Sequence, residues 1–445
     1  MGKKKTNTVE NLGEAGDEHS DFRDSIQAAT LKQMQTQYKG LDMLSHAETL
    51  WRCGGIALPS LCLRYLSHQE AFALGRTLTL SGLFRSNKTS LAFEIMRWVL
   101  TYKGIGWYND VERKDSPGMR ESLMGYNQEF LNNIHILPCS MQEHWQSGVT
   151  NQFDSVLKMS EKYGGKMRVV GCSVVDSVAA ADPKAEQEAF ISKHAGAGRR
   201  SHPILALYNS KWLTGIVHYV SAGPFILLLI QHSAEVQVEG TTSTTRKQKG
   251  GMEVAFAKTT AFEMTRKRDM KETSKGGGAI ITIECSKNAL GPSKRKIEVP
   301  VRWYWEPDPE NPGESRQRYF WDWHHCSIQT MLSFEAMPGR KQTWNDIKEV
   351  CDLHVASGAR VWSRALGIPK ESPVKLSTAG EILEYEHPEL LPPLYDILHI
   401  ERRPVLKPGG DVLDLWNGRV AIPAIPDVPP YPRLSLAESE DGDDE

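Results

Sequence analysis

No stretch of this 445-residue chain is apolar for long enough to cross a bilayer. The run Phe225 to Ile230 is only six residues, where a spanning helix needs about 20. The opening residues MGKKKTNTVENLGEAGDEHSD carry a basic tip and no apolar core, so neither an export signal nor a membrane anchor is expected. Paired cysteines are missing as well. The seven cysteines are scattered, odd in number and without a C-x-x-C pair, which argues against a disulfide framework or a structural zinc site and favours a reducing, cytoplasmic setting. His324-His325-Cys326 is no exception, because adjacent histidines point apart and no second ligand pair lies near. Charge of one sign is lacking too: the formal net charge is −2, so any affinity for nucleic acid must be local.

What is present is an alternation of strand-like and helix-like segments. Thr77 to Leu80 reads as a strand, and the apolar positions Leu91, Phe93, Ile95, Met96, Val99 and Leu100 as a helix packed on a sheet. Ile105 to Asn109, Ile134 to Leu137, Met167 to Val175 and Phe225 to Ile230 read as further strands. Phe153 to Lys162 and Ile204 to Tyr219 read as helices. This alternation predicts a mainly parallel α/β sheet whose ligands sit at the carboxyl ends of its strands. Val254 to Met264, Ile280 to Cys285 and Lys296 to Trp305 predict an antiparallel extension. Pro307 to Gln317 reads as a linker or long turn before an aromatic-rich section containing Tyr319, Phe320, Trp321 and Trp323. The last eight residues, ESEDGDDE, carry six acids and read as a solvated tail. The expected organisation is an N-terminal tail and helix (1–48), an α/β core (49–306), a smaller C-terminal domain (307–430) and the acidic tail (431–445).

Between the first strand and its helix, Gly82, Lys88 and Thr89 fit G-x-x-x-x-G-K-[ST], with Asn87 in place of the second glycine. Such a loop, here Gly82, Leu83, Phe84, Arg85, Ser86, Asn87, Lys88, Thr89 and Ser90, turns backbone N–H groups and a helix N-terminus towards phosphates. Lys88 adds a point charge, and Thr89 can hold Mg²⁺. Asn87 fits if it takes a positive φ, which asparagine tolerates. Asp176 ends a buried strand, where it serves either as the acid beside Mg²⁺ or as a helix cap. Glu112 follows the second strand and suits a water-activating base, or else a solvated acid in DVERKD. His232 follows Phe225 to Ile230 and suits a γ-phosphate contact or a structural role. The stretches 189–203 and 233–251 read as mobile loops with Lys193, Arg199, Arg200, Arg246, Lys247 and Lys249, cations for a nucleic-acid backbone or simply solvated charges.

VVDSVAAADPKAEQE (Val174 to Glu188), IALPSLCLRYL, YNDVERKDSPGM, GGMEVAFAKTTAFEM and IECSKNALGPSKRKIEV together resemble, in order and spacing, the core of bacterial RecA recombinases over residues 49 to 306. The non-glycine at Asn87 and the histidine at 232 lean towards phage recombinases of the UvsX type. The resemblance implies a RecA-like P-loop ATPase with ATP and Mg²⁺ as cofactors. Gly82, Lys88 and Thr89 would bind phosphate and metal, Asp176 would support the metal, Glu112 would activate water, and His232 would sense the γ-phosphate. Lys287 would reach across from a neighbouring subunit. The basic loops would grip DNA inside a helical homo-oligomer, with the N-terminal helix docked on the adjacent protomer. The implied activity is pairing and exchange of single-stranded with double-stranded DNA in recombination and repair, with single-strand-binding and loader proteins as accessory partners, in a host cytoplasm or viral replication compartment. The alternative is a nucleotide-binding filament or single-strand-binding protein with little turnover.

Overall fold

The central strands form because their residues are β-branched or apolar on both faces, the signature of parallel strands covered by helices. The computed structural model describes residues 55–162, 169–178, 180, 202–221, 223–237, 244–248, 258–273, 276–308, 311, 313–402 and 405–406, all within the unit Trp51–Glu445. The expectations for 1–48 and the acidic tail lie outside them.

The chain enters through β1 (Gly55–Ala57), α1 (Leu61–Ser67) and β2 (Ala71–Ala73). It continues into β3 (Arg76–Gly82), α2 (Lys88–Thr101), β4 (Ile105–Asp110), α3 (Pro117–Leu123), α4 (Gln128–Asn132) and β5 (Ile134–Pro138). Then come α5 (Gln142–Lys162), β6 (Gly171–Asp176), α6 (His202–Ser221), β7 (Phe225–Gln237), β8 (Thr244–Gln248), β9 (Thr260–Thr273), β10 (Gly276–Asn288), β11 (Lys296–Pro307) and β12 (Ser315–Trp321). One large mixed sheet runs in the order β5-β4-β6-β7-β3-β9-β10-β11-β12, with β8 hydrogen-bonded to β7 alone. From β5 to β9 all neighbours are parallel, and β10 to β12 add an antiparallel wing. This is an α/β architecture compatible with Rossmann-like and P-loop-like folds. No helix among the described residues is long and apolar enough to cross a membrane.

Alternate residues of the buried strands serve opposite layers. Leu78, Leu80, Ile226, Leu228 and Ile230 pack with Leu91, Phe93, Ile95 and Met96 of α2. Phe225, Leu227, Leu229 and Val175 face Val149 and Phe153 of α5 and Leu213, Ile216 and Val220 of α6. Covering both faces aligns the carboxyl ends of β3, β4 and β6 at one rim, level with His232 within β7.

Two segments differ from their sequence reading, and in a third one of two readings holds. The stretch 233–251 does not start as a loop: β7 continues to Gln237 and β8 pairs back on it, Glu235 opposite Arg246, as suits the β-branched Val236, Thr244 and Thr245. Of the two readings of Pro307 to Gln317 the long turn holds, since the segment connects two antiparallel neighbours of one sheet. β11 extends to Pro307 and pairs with β12 from Ser315, so Tyr319, Phe320 and Trp321 belong to the main sheet and the sheet crosses the expected boundary at 306. Ser116-Pro117-Gly118, a turn signal by sequence, instead opens α3, with Ser116 as N-cap accepting from the Met119 amide and Pro117 in the first turn.

A second core follows in α7 (Trp323–Ala336), α8 (Lys341–Cys351), the small sheet β13 (Leu353–Ala356), β14 (Arg360–Ser363) and β15 (Val374–Lys375), α9 (Leu376–Glu381) and α10 (Leu391–Ile397). Leu61 of α1 packs into it. Buried Glu384 ties the two parts by accepting from the Leu61 amide (2.8 Å), Ser327 Oγ (2.7 Å) and His324 Nδ1 (2.7 Å). This accounts for His324 without a metal.

His68 caps α1 in a left-handed conformation (φ 58°), with Nδ1 3.3 Å from the His399 carbonyl. Burial, and then Arg295, pull its pKa down to about 4. The fold therefore holds His68 neutral, while the unfolded chain takes up a proton near pH 6.5. Between those values the unfolded state binds more protons, so stability falls as pH drops from about 6.5 to 4, by about 1–2 kcal/mol after solvent screening. Thermal unfolding across this range is expected to show the loss, and His68→Asn, which tolerates the backbone angle, is expected to flatten it. An unchanged slope in that variant contradicts the assignment.

Candidate functional site

β3 stops at Gly82 because the chain there approaches its neighbour too closely for a side chain: a Cβ would lie 2.3 Å from the Met264 carbonyl oxygen and 2.7 Å from Ser86 Oγ. The loop that follows turns through left-handed residues at Arg85 and Asn87, both φ 62°. Asn87 thus takes the positive φ expected of it. It does not cap α2 with its side chain but donates from Nδ2 to the Tyr319 hydroxyl (2.5 Å), fastening the loop to β12.

Lys88 is buried, and its Nζ donates to the carbonyls of Gly82 (3.1 Å) and Leu83 (2.8 Å) and to Ser86 Oγ (3.2 Å). Burial pulls its pKa down to about 8. Asp176 and, more weakly, Glu112 oppose the shift, and the positive charge of Lys114 adds to it. Ser86 Oγ in turn donates to the Leu83 carbonyl (2.8 Å). The loop is therefore closed around an ammonium group, with two carbonyls and one hydroxyl as its acceptors.

Asp176 ends β6 and is joined to Ser177 by a cis peptide bond. Its Oδ2 accepts from Thr89 Oγ1 (2.6 Å) and from the Tyr108 hydroxyl (2.9 Å). Its Oδ1 is buried without a hydrogen-bond partner, and burial raises the carboxyl pKa. An orphaned carboxylate oxygen beside a threonine hydroxyl is an all-oxygen donor pair suited to Mg²⁺, which takes one or two protein oxygens and keeps several waters. The residues present fit that ion.

Glu112 stands on a tight turn after β4. Asp110 organises the turn by accepting from the amides of Lys114 and Asp115, both at 3.0 Å, and the Glu112 amide donates to the Asp176 carbonyl (3.1 Å). Glu112 Oε1 accepts from Ser177 Oγ (2.5 Å) and His232 Nε2 (2.5 Å), while Oε2 is ion-paired with Lys114. Burial alone would raise its pKa, but the bonds from His232, Lys114 and Ser177 together hold it well below the usual carboxylate range. His232 lies beside Gly82 in strand register. The ligand atoms of Glu112, Asp176 and His232 fall within 4.8 Å of one another, the one such metal-capable group found among the described residues.

The structure thus gathers Gly82 to Ser90, Glu112, Asp176 and His232 at one rim. Lys287 is not gathered there. It pairs with Ala261, which pairs with Thr79, three residues back along β3 from Gly82. Arg246 and Lys247 lie on β8, opposite Glu235 and Ala234, and Lys193, Arg199, Arg200 and Lys249 lie outside the described residues. Sequence reasoning missed Tyr108, Asp110 and Lys114. The spacing Asp110-x-Glu112-x-Lys114 was the available signal, but it sits in a turn whose composition matches ordinary solvated charge. Compared with known proteins, the chain matches no family model, and no curated protein matches it.

Proposed function

We propose that the chain is a RecA-like, ATP-dependent recombinase that assembles as a helical homo-oligomer on single-stranded DNA, pairs it with a duplex and releases it on ATP hydrolysis. One observation carries the reading: a phosphate-type loop, a Thr89–Asp176 pair with an orphaned buried oxygen, and a hydrogen-bonded Glu112 converge where parallel strands end. Lys88 and the loop amides would hold the β- and γ-phosphates, and Thr89 and Asp176 would hold Mg²⁺. When bound, the ion neutralises charge on the phosphate oxygens. Glu112 accepts a proton from the attacking water at one carboxylate oxygen, while Ser177 and His232 keep the carboxylate oriented. His232, next to Gly82 in register, links the site to the β7–β8 extension with Arg246 and Lys247. Loss of the γ-phosphate would be passed along that strand to the DNA grip.

Hydrolysis of ATP by the full chain is expected to rise several-fold when single-stranded DNA is added, and images taken with ATP and DNA are expected to show filaments. No DNA stimulation overturns the reading. A second reading is a nucleotide-binding filament with little turnover. It is favoured by the engagement of both Glu112 oxygens and its depressed pKa, which weaken it as a base. Filaments without strand exchange would select this one.

A further inference from the structure

We propose that Lys114 is a second phosphate-facing lysine of the same site, which exchanges its partner Glu112 for the terminal phosphate of a nucleoside triphosphate. The proposal rests on the nucleotide reading above and adds a residue to which neither the loop motif nor the resemblance gives a role.

The geometry of the turn comes first. The Lys114 amide is pinned to Asp110 Oδ1 (3.0 Å), and Arg113 is left-handed (φ 54°), so the turn fixes where the Lys114 side chain starts. The ammonium group sits on Glu112 Oε2 with the side chain 39% exposed, and its Nζ is 5.8 Å from the ring centroid of Phe84 in the phosphate loop. Lys114 therefore bridges Glu112 and the loop that closes on Lys88, the two sides of the place a terminal phosphate would take.

The chemistry of the exchange follows. A phosphate bound at Lys88 brings more negative charge to this spot than one carboxylate, and a compact charge on a four-carbon stem changes partners by side-chain rotation alone. Glu112 keeps its bonds from Ser177 and His232 after Lys114 leaves, so the carboxylate stays oriented while Oε2 opens towards a water. A single movement then adds a cation at the terminal phosphate and frees the base. A diphosphate lacks the group that would draw Lys114 away.

The test is the affinity of the full chain, with Mg²⁺, for a fluorescent non-hydrolysable ATP analogue and for fluorescent ADP, in the wild type, Lys114→Met, Lys114→Arg and Lys88→Ala. Losing a charge-assisted bond is expected to weaken the triphosphate about tenfold in Lys114→Met and to leave ADP within about twofold, while Lys114→Arg restores most of the triphosphate affinity. Equal weakening of both nucleotides, no weakening of either, or no restoration by arginine overturns the assignment while leaving the nucleotide site standing. If Lys88→Ala binds both nucleotides as the wild type does, the nucleotide reading itself fails, and the role of Lys114 with it.

Discussion

Replacing Lys88 by alanine is expected to weaken ATP binding by about 10²–10³-fold, the cost of removing a buried, hydrogen-bonded charge from its anion. The amine is already in the mouth of the loop, donating to two carbonyls and Ser86, so binding exchanges carbonyl partners for phosphate oxygens without moving the backbone. Alanine has good helix propensity at the first position of α2 and relieves the burial of an amine, so the unfolding midpoint is expected to stay near that of the wild type. Loss of binding with an unchanged midpoint separates a phosphate role from a structural one. The depressed pKa adds a pH signature. Only the protonated amine attracts phosphate, so wild-type affinity is expected to fall as pH rises above about 8, whereas the alanine variant shows no such step. Stability of the ligand-free chain runs the other way. The unfolded lysine binds a proton up to about pH 10.5, so between about 8 and 10.5 the unfolded state holds more protons and the fold gains stability as pH rises. Calorimetric titrations with ATP at pH 7 and 9 check the first statement, and equal affinities at the two values count against it.

The parts of this site legible in the sequence are those that local pattern determines. β3 and α2 announce themselves through apolar spacing, and the loop between them through Gly82, Lys88 and Thr89. Asp176 was legible because a buried run of small and β-branched residues ends on it, although the sequence left a helix cap equally open. The orphaned Oδ1 and the bond from Thr89 favour the metal role, and both depend on β3 and β6 being held at one level by β7 between them. What stayed illegible depends on pairing between distant segments. Tyr108 reads as a core aromatic, and only the register of β4 with β6 brings its hydroxyl to Asp176. Tyr319 lies 232 residues from Asn87 in the chain, and no spacing rule links an edge strand to the loop after β3. β12 itself was hidden by the prolines and acids before it, which read equally as a linker or a long turn, although Tyr319 to Trp321 are strand formers once β11 offers an edge. Lys114 was hidden for the opposite reason. It sits in a run of charges, where an ion pair is the bland expectation and only geometry shows the pair to be inside the site.

Glu112→Gln is expected to lower ATP hydrolysis by about 10²–10⁴-fold while leaving ATP binding within a few-fold of the wild type, since an amide of the same shape cannot take up a proton. The substitution is conservative in volume, and its amide oxygen can still accept from Ser177 and His232, so the turn held by Asp110 is expected to persist. The ion pair with Lys114 is lost, which leaves that lysine more available to phosphate. Binding is thus expected to hold or tighten as turnover falls, the reverse of the Lys88→Ala pattern. The size of the fall also decides between the two proposed functions. A recombinase that releases DNA by hydrolysis must free Glu112 from at least one of its three partners on each cycle, so its wild-type rate stands far above that of the glutamine variant. A filament that merely keeps its nucleotide leaves Glu112 locked between Lys114, Ser177 and His232, and its wild-type rate is already as low as the variant's. Single-turnover hydrolysis with single-stranded DNA, in wild type and Glu112→Gln, reads this ratio directly. A ratio near one assigns the chain to the filament class, and a loss of ATP binding in the variant removes Glu112 from the role of base.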